Sequence, residues 1–555
     1  MILTGAEIIV ETLIEQGCKT VFGYPGGFVL NIYDELYKRS DRIRHVITAH
    51  EQGAAHAADG YARVSGDVGV VIATSGPGVT NLITGIATAH LDSVPLVAIT
   101  GNVPLSMLGR DSFQEVDTTG ITMPITKHNY IVKSAKDLAK TIREAIRIAK
   151  SGRPGPVLID VPKDVQLQTC EYLPSEKEQP DAYPRADAAV IEDIVQLIRE
   201  SKRPYIYSGG GVIMADAAAE VMRLAEMIDA PIGFSMMGLS AVPGDFRYNL
   251  GMTGMHGRYA STKANAEADL VLAVGVRFSD RATGKKSKYS QHAKIVHIDI
   301  DPAEINKNIN AYLGVSADIK STLSAVIEKL TPERRPEWMA EVEKYRKEEA
   351  SCAPRDDSLN PKVLISHVQK YTDVNTIIAT DVGQHQMWTA QNYCHKRPRR
   401  FLTSGGLGTM GYGMGAAIGG SVAAGGERTV LFTGDGSFGM NLTELATAVS
   451  NQLPIVVIVM NNGVLGMVRQ WQTLFYDKRY SQTTLGRKTD FVKLAEAFGA
   501  HGFRISELSH LDEVLEKAFS LNSPVVIDCL IDQDEFVFPM IPPGGSIDDI
   551  IVKQG

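Results

Sequence analysis

Ten short runs of apolar, largely β-branched residues recur along the chain, each separated from the next by enough residues to hold a helix. They fall at 68–73, 96–100, 157–161, 205–208, 270–274, 295–300, 376–380, 429–433, 455–460 and 525–531. Strands that are apolar on both faces and alternate with helices belong to parallel sheets covered by helices on both sides. The pattern predicts an α/β fold of doubly wound parallel sheets. Two polar, Pro- and charge-rich stretches, 171–185 and 332–359, interrupt it and read as linkers. The expected domains are therefore 1–170, 186–335 and 358–540. That agrees with a length of 555 residues, too long for a single core.

Composition excludes several classes. Fifty-six Lys and Arg stand against 64 Asp and Glu, with no basic run to offset the deficit, so no nucleic-acid or membrane partner is expected. Five scattered cysteines (Cys18, Cys170, Cys352, Cys394 and Cys529) include no CxxC pair, which argues against a disulfide framework and for a reducing compartment. Residues 1–17 read as an amphipathic helix rather than a targeting leader. The uncharged stretch 403–426 contains ten glycines and reads as buried backbone turns rather than a membrane span. A cytoplasmic protein is expected.

Residues 72–101 and 430–460 share one plan: a strand, a GxG turn, Asn-Leu, an Ala-Thr-Ala helix, then a Pro before the next strand. The first and third domains are thus expected to be cousins around an unlike middle domain. Their turns differ. Gly76-Pro77-Gly78 carries no ligand, whereas Gly434-Asp435-Gly436 does. The latter also opens a GxGxxG match through Gly439, but no acid ends the next strand to hold a ribose. Gly406 to Gly411 repeats the same weak match. Asp435 and Asn462 each follow an apolar strand, and neighbouring parallel strands deliver such residues to one sheet edge. A carboxylate, an amide oxygen and a main-chain carbonyl form a hard-oxygen set suited to Mg²⁺ on a diphosphate.

GDG followed some 30 residues later by NN resembles the thiamine-diphosphate signature. Further stretches extend the likeness nearly end to end: FGYPGG, HEQGAAHAADGYAR, TSGPGVTN, FQEVD, GRPGPVLIDVPKDV, GMHG, GVRFSDR, GQHQMW, GGLGTMGYG and GMVRQWQ. Together they resemble the catalytic large subunits of biosynthetic acetolactate synthases. The resemblance implies a thiamine-diphosphate (ThDP) pyrimidine-binding domain, a central FAD-binding domain and a ThDP diphosphate-binding domain. It implies that Glu51 shares a proton with the cofactor's aminopyrimidine ring. Gln384, His385, Gly436 and Ser437 are implied at the diphosphate, with Gly27, Gly408, Met410 and Met467 elsewhere along the cofactor. Asp435, Asn462 and the Val464 carbonyl are implied to bind Mg²⁺.

FAD, structural rather than redox-active, is implied at Arg153, Gly209, Gly210, Met255, His256, Gly275, Arg277, Asp280, Asp299, Ile300 and Asp318. Read from the residues alone, Gly209-Gly210-Gly211 follows a strand as a phosphate cradle does, and HIDID ends a strand with acids. At the substrates, Arg281 would grip a carboxylate bidentately, and Trp471 would favour the ethyl group of 2-ketobutyrate. Phe113, Gln114, Lys163 and Val468 would line the approach. The implied reaction decarboxylates pyruvate and condenses the two-carbon remainder with pyruvate or 2-ketobutyrate, the first common step towards valine, leucine and isoleucine. The alternative is a pyruvate oxidase or another ThDP- and FAD-dependent 2-oxo acid decarboxylase. A homodimer or homotetramer is implied, with a regulatory small subunit as a further partner. Asn102 and Ser240 depart from the family pattern, both expected near the substrate channel.

Overall fold

The computed structural model describes residues 1–351 and 358–552. Cys352 and residues 352–357 of the second expected linker lie outside the described residues. Twenty strands are present: β1 (Ile2–Thr4), β2 (Thr20–Tyr24), β3 (Arg44–Ile47), β4 (Gly69–Ala73), β5 (Leu96–Asn102), β6 (His128–Ile131), β7 (Pro156–Pro162), β8 (Thr169–Glu171), β9 (Pro204–Ser208), β10 (Ile232–Phe234), β11 (Asn249–Met252), β12 (Leu270–Val274), β13 (Lys294–Asp299), β14 (Leu313–Ser316), β15 (Ile377–Thr380), β16 (Phe401–Leu402), β17 (Thr429–Gly434), β18 (Ile455–Asn461), β19 (His501–Ile505) and β20 (Val525–Leu530). All ten apolar runs are strands. β1 and β8 form a small antiparallel ladder, and the other strands make three parallel six-stranded sheets.

The sheet orders are β3-β2-β4-β5-β7-β6, β11-β10-β9-β12-β13-β14 and β16-β15-β17-β18-β20-β19. Counted from the first strand of each sheet, the outer two sheets share the order 2-1-3-4-6-5. The middle sheet has 3-2-1-4-5-6, the order of dinucleotide-binding folds. The kinship between the first and third sheets, and the unlike middle one, are therefore present in the topology.

Two sequence expectations need correction. The stretch 332–359 is not a plain linker, because Pro336–Ser351 forms a helix. Trp338, Met339, Val342 and Tyr345 make a buried stripe on it. The Trp338 indole N–H donates to the Pro204 carbonyl at 3.0 Å. The dense charge around this stripe hid its helical spacing. Residues 172–185, by contrast, hold neither helix nor strand after β8 ends at Glu171.

The glycine-rich run is not mainly turns either. Its second half is the buried helix Tyr412–Ala423, which lies against the helix Glu51–Ser65 of the first domain. The glycines allow near contact of the two backbones. A Cβ on Gly419 would stand 1.8 Å from the Ala57 carbonyl oxygen, and one on Gly60 would stand 2.2 Å from that of Ala416. Among the described residues no helix is long and apolar enough to cross a membrane.

Candidate active site

The Gly434-Asp435-Gly436 turn is built at the carboxyl edge of the third sheet. Strands β17 and β18 run side by side with Gly434 opposite Met460, so the residues following each strand, Asp435 and Asn462, leave the sheet next to one another. Asp435 opens the helix Asp435–Asn441. Burial pushes its carboxyl up to about 6, against the pull of local backbone N–H groups. A divalent cation there favours the carboxylate. The Asn462 amide oxygen accepts the Val464 N–H at 3.2 Å, and its nitrogen approaches the Gln384 amide oxygen at 3.4 Å. Among the described residues no three His, Cys, Asp or Glu side chains gather as ligands. The groups brought together here, one carboxylate and one side-chain amide, are hard-oxygen donors of the kind that suits Mg²⁺.

Above this turn, Gln384 donates to the Gln470 amide oxygen and the Glu535 carbonyl. His385 is buried, and burial pushes its imidazole down to about 3. Its Nε2 is buried without a hydrogen-bond partner among the described residues, and its ring lies where a Cβ on Gly434 would fall. A buried neutral ring nitrogen left unpaired beside a glycine turn fits a bound diphosphate.

Sequence reasoning missed Asp381. This buried carboxylate accepts the Gly411 N–H at 2.7 Å and the Thr433 hydroxyl at 3.2 Å, and Gly411 also donates to Ser437 Oγ. It therefore ties the Met410 segment to Ser437. Only the long-range fold brings these groups together.

The first domain carries Glu51, Gly27, Phe113, Gln114 and Lys163 away from the Gly434-Asp435-Gly436 turn. Glu51 opens the helix Glu51–Ser65, with His50 as its cap. Its Oε2 accepts from the amide of Asn81, also missed by sequence reasoning, at 2.9 Å. Gly78 faces its other oxygen, and the Gln114 backbone lies against Gly76. The Phe28 N–H donates to Thr74 at 3.3 Å, and Gln166 holds the Phe28 carbonyl at 2.8 Å, fixing the loop that carries Gly27. The Lys163 ammonium stands 5.6 Å from the Phe28 ring, and Phe113 is 82% exposed. Asn102 is buried, donating to Asp160 and accepting from Val103. Its amide is used inside the first domain, and it does not line the main cavity. Ser240 does line the main cavity.

The middle sheet has the strand order of dinucleotide-binding folds. Its order reverses between β9 and β12, and their ends meet there: a Cβ on Gly209 would stand 2.0 Å from the Gly275 carbonyl oxygen. Ligands bind at such switch points. A cavity of about 790 Å³ opens from this point. Gly210, Gly275, Arg277, Asp299, Ile300 and Asp318 line it, as do Arg153, Met255, His256 and Asp280. Burial raises the Asp299 carboxyl to about 6 and lowers His256 to about 4 and, in direction, Arg277. Arg153 is held at 2.7 Å by Glu304. Gly209 packs beneath the cavity rather than lining it.

The same cavity continues to Gly408, Met410, Met467, Val468 and Trp471 of the third domain. The Arg281 guanidinium lies 5.5 Å from the centre of the Trp471 ring. Its nearest carboxylate, Asp280, is 3.8 Å away. Glu51, Gly27, Phe113, Gln114 and Lys163 do not line this cavity, so these first-domain residues and the cavity are distinct parts of one protomer.

Three parallel sheets, a GDG turn beside Asn462 and an acid at a helix start in the related first domain define a thiamine-dependent enzyme. The family models of thiamine pyrophosphate enzymes agree: the N-terminal TPP binding domain matches residues 3–121, the central domain 191–326 and the C-terminal TPP binding domain 381–529. Within that class the chain belongs to the acetolactate synthase large-subunit family. It is 45% identical to the probable acetolactate synthase large subunit of Methanocaldococcus jannaschii, over 99% of this chain and 95% of the relative. It is 43% identical to the isozyme 2 large subunit of Escherichia coli, over 99% and 100%. It is 45% identical to that organism's isozyme 1 large subunit, over 99% and 97%.

Proposed function

We propose that the chain is the catalytic subunit of an acetolactate synthase. It decarboxylates pyruvate and joins the two-carbon remainder to a second pyruvate or to 2-ketobutyrate. The observation that carries this reading is the pairing of Arg281 with Trp471 on the wall where the cavity reaches Met410 and Met467. A small 2-oxo acid needs a cation for its carboxylate and an apolar surface for its alkyl end, and this wall offers both.

When bound, ThDP would supply a carbon acid and a sink for the electrons released with CO₂. Glu51 holds or releases the proton at its Oε atoms opposite the aminopyrimidine, and Asn81 fixes the rotamer of that carboxylate. His385, Gly436 and Ser437 meet the diphosphate, while Asp435, Asn462 and the Val464 carbonyl hold Mg²⁺. Met410 and Met467 shape the channel beyond. Arg281 anchors the acceptor carboxylate, and Trp471 contacts its alkyl group. Phe113, Gln114, Lys163 and Val468 line the approach.

FAD fits the middle cradle, where Gly210 and Gly275 admit a pyrophosphate and Asp299 a ribose, and the carboligation needs no electron from it. The functional division is into domains 1–170, 186–335 and 358–540. The separation of Glu51 from the cavity supports a homodimer, alone or doubled, in which a second copy completes each site. Relatives named large subunits support a small-subunit partner.

The test is Glu51→Gln. This variant is expected to retain ThDP, read by quenching of tryptophan fluorescence, while losing about a hundredfold or more of carboligation. Near-normal turnover refutes the role of Glu51.

A further inference from the structure

We propose that Glu444 is a positioning residue for Glu51: from the diphosphate domain it holds the two backbone amides immediately before the acid. The proposal rests on the reading of Glu51 as the proton-handling group. Glu444 is fully buried. Its Oε2 accepts the Ala49 N–H at 3.2 Å and the Thr447 hydroxyl at 2.7 Å, and its Oε1 accepts the His50 N–H at 3.0 Å. Among the described residues no Lys or Arg forms an ion pair with it. A buried carboxylate is costly unless donors meet its oxygens. Here those donors are the entry to the Glu51 helix and the Thr447 hydroxyl of the helix that follows Glu444.

The His50 ring already caps Gln52 at 3.1 Å, so Glu444 takes over the amides that the cap leaves free. A second contact fixes the same register. A Cβ on Gly53, one turn into the helix, would stand 2.1 Å from Glu444 Oε1, so the helix meets the carboxylate through bare backbone. Glu444 ends the turn Leu442–Glu444, which continues the helix begun by Asp435. One rigid segment therefore runs from the metal turn to the base of Glu51 within a single chain. A carboxylate that only filled the interface would not need to face these two amides.

The full chain reconstituted with ThDP, Mg²⁺ and FAD tests this with Glu444→Gln, which keeps the volume but turns one acceptor into a donor facing an N–H. Turnover is expected to fall about tenfold or more, as for a misplaced catalytic group. KM for pyruvate should stay within about twofold, because the substrate wall is untouched. In the apoprotein, amide hydrogen exchange across residues 46–56 should quicken about tenfold while β18 keeps its protection. Gly53→Ala, whose methyl group displaces the carboxylate, should reproduce the pattern.

Wild-type turnover in Glu444→Gln, with Glu51→Gln inactive, overturns the proposal. So does exchange that quickens uniformly along the chain, which would mark a packing role. Normal turnover in Glu51→Gln instead removes the reading on which the proposal rests, while the local exchange still reports whether Glu444 holds the amides.

Discussion

Trp471 and Arg281 illustrate how single side chains set selectivity. The indole is partly buried against the cavity, and the guanidinium lies over its ring with its nearest carboxylate 3.8 Å away. One methylene against an apolar wall is worth about 1–3 kcal/mol. Trp471→Leu is therefore expected to lower the preference for 2-ketobutyrate over pyruvate as acceptor by about tenfold, read from the ratio of the two products. An unchanged ratio would remove Trp471 from the specificity argument.

Asp160 makes a different prediction. It is fully buried between Thr100 and Asn102, and burial raises its carboxyl to about 7. The folded state holds this proton more tightly than the unfolded chain, whose value is 3.8. Its contribution is therefore most favourable below about 4 and is lost as pH rises towards 7, a change of at most about 4 kcal/mol. Asp160→Asn keeps a neutral amide there, since the Thr100 hydroxyl can turn to accept. The variant should flatten the fall in unfolding free energy across that window, measured by denaturant titration at several pH values.

Among elements, legibility followed burial. The inner strands β4, β5, β7, β9, β12, β13, β15, β17, β18 and β20 are largely apolar and could be read directly, whereas the inner strands β2 and β10 could not, each carrying a glycine in a short run. The sheet edges β3, β6, β11, β14, β16 and β19 went unread, because they are short or carry polar residues towards solvent, as in His128–Ile131 and His501–Ile505. Helix Pro336–Ser351 was masked by its charge, and the glycine run by the assumption that glycine means a turn. The GDG turn and its partner Asn462 were legible because both lie at strand ends with fixed spacing. Asn81, Asp381 and Glu444 were not, since each acts through a residue 30 or more positions away. Gly419→Ala drives a methyl group into the Ala57 carbonyl at the contact of the two helices. Such overpacking should cost about 1–3 kcal/mol or more, seen as a lowered Tm. An unchanged Tm would mean that the helices can separate without loss.

Across the whole molecule, the outer domains meet through a buried polar network as well as through those helices. Arg63 pairs with Asp59 at 2.6 Å and Asp92 at 2.9 Å, and donates to the Thr403 carbonyl at 3.1 Å. Tyr412 donates to Asp59, and Asp92 accepts the Gly405 and Gly406 N–H groups. The loop leading to Met410 is thus held by the first domain, and the cradle of the middle domain opens on the same cavity. Three domains converge on one channel whose far wall is Arg281 and Trp471.

Anaerobic incubation of the chain with pyruvate, ThDP, Mg²⁺ and FAD, with and without 2-ketobutyrate, tests this convergence most directly. The account predicts acetolactate from pyruvate alone and mainly 2-aceto-2-hydroxybutyrate when both acids are present, with the flavin remaining oxidised. Acetaldehyde or a bleached flavin, with neither acetohydroxy acid formed, would contradict it.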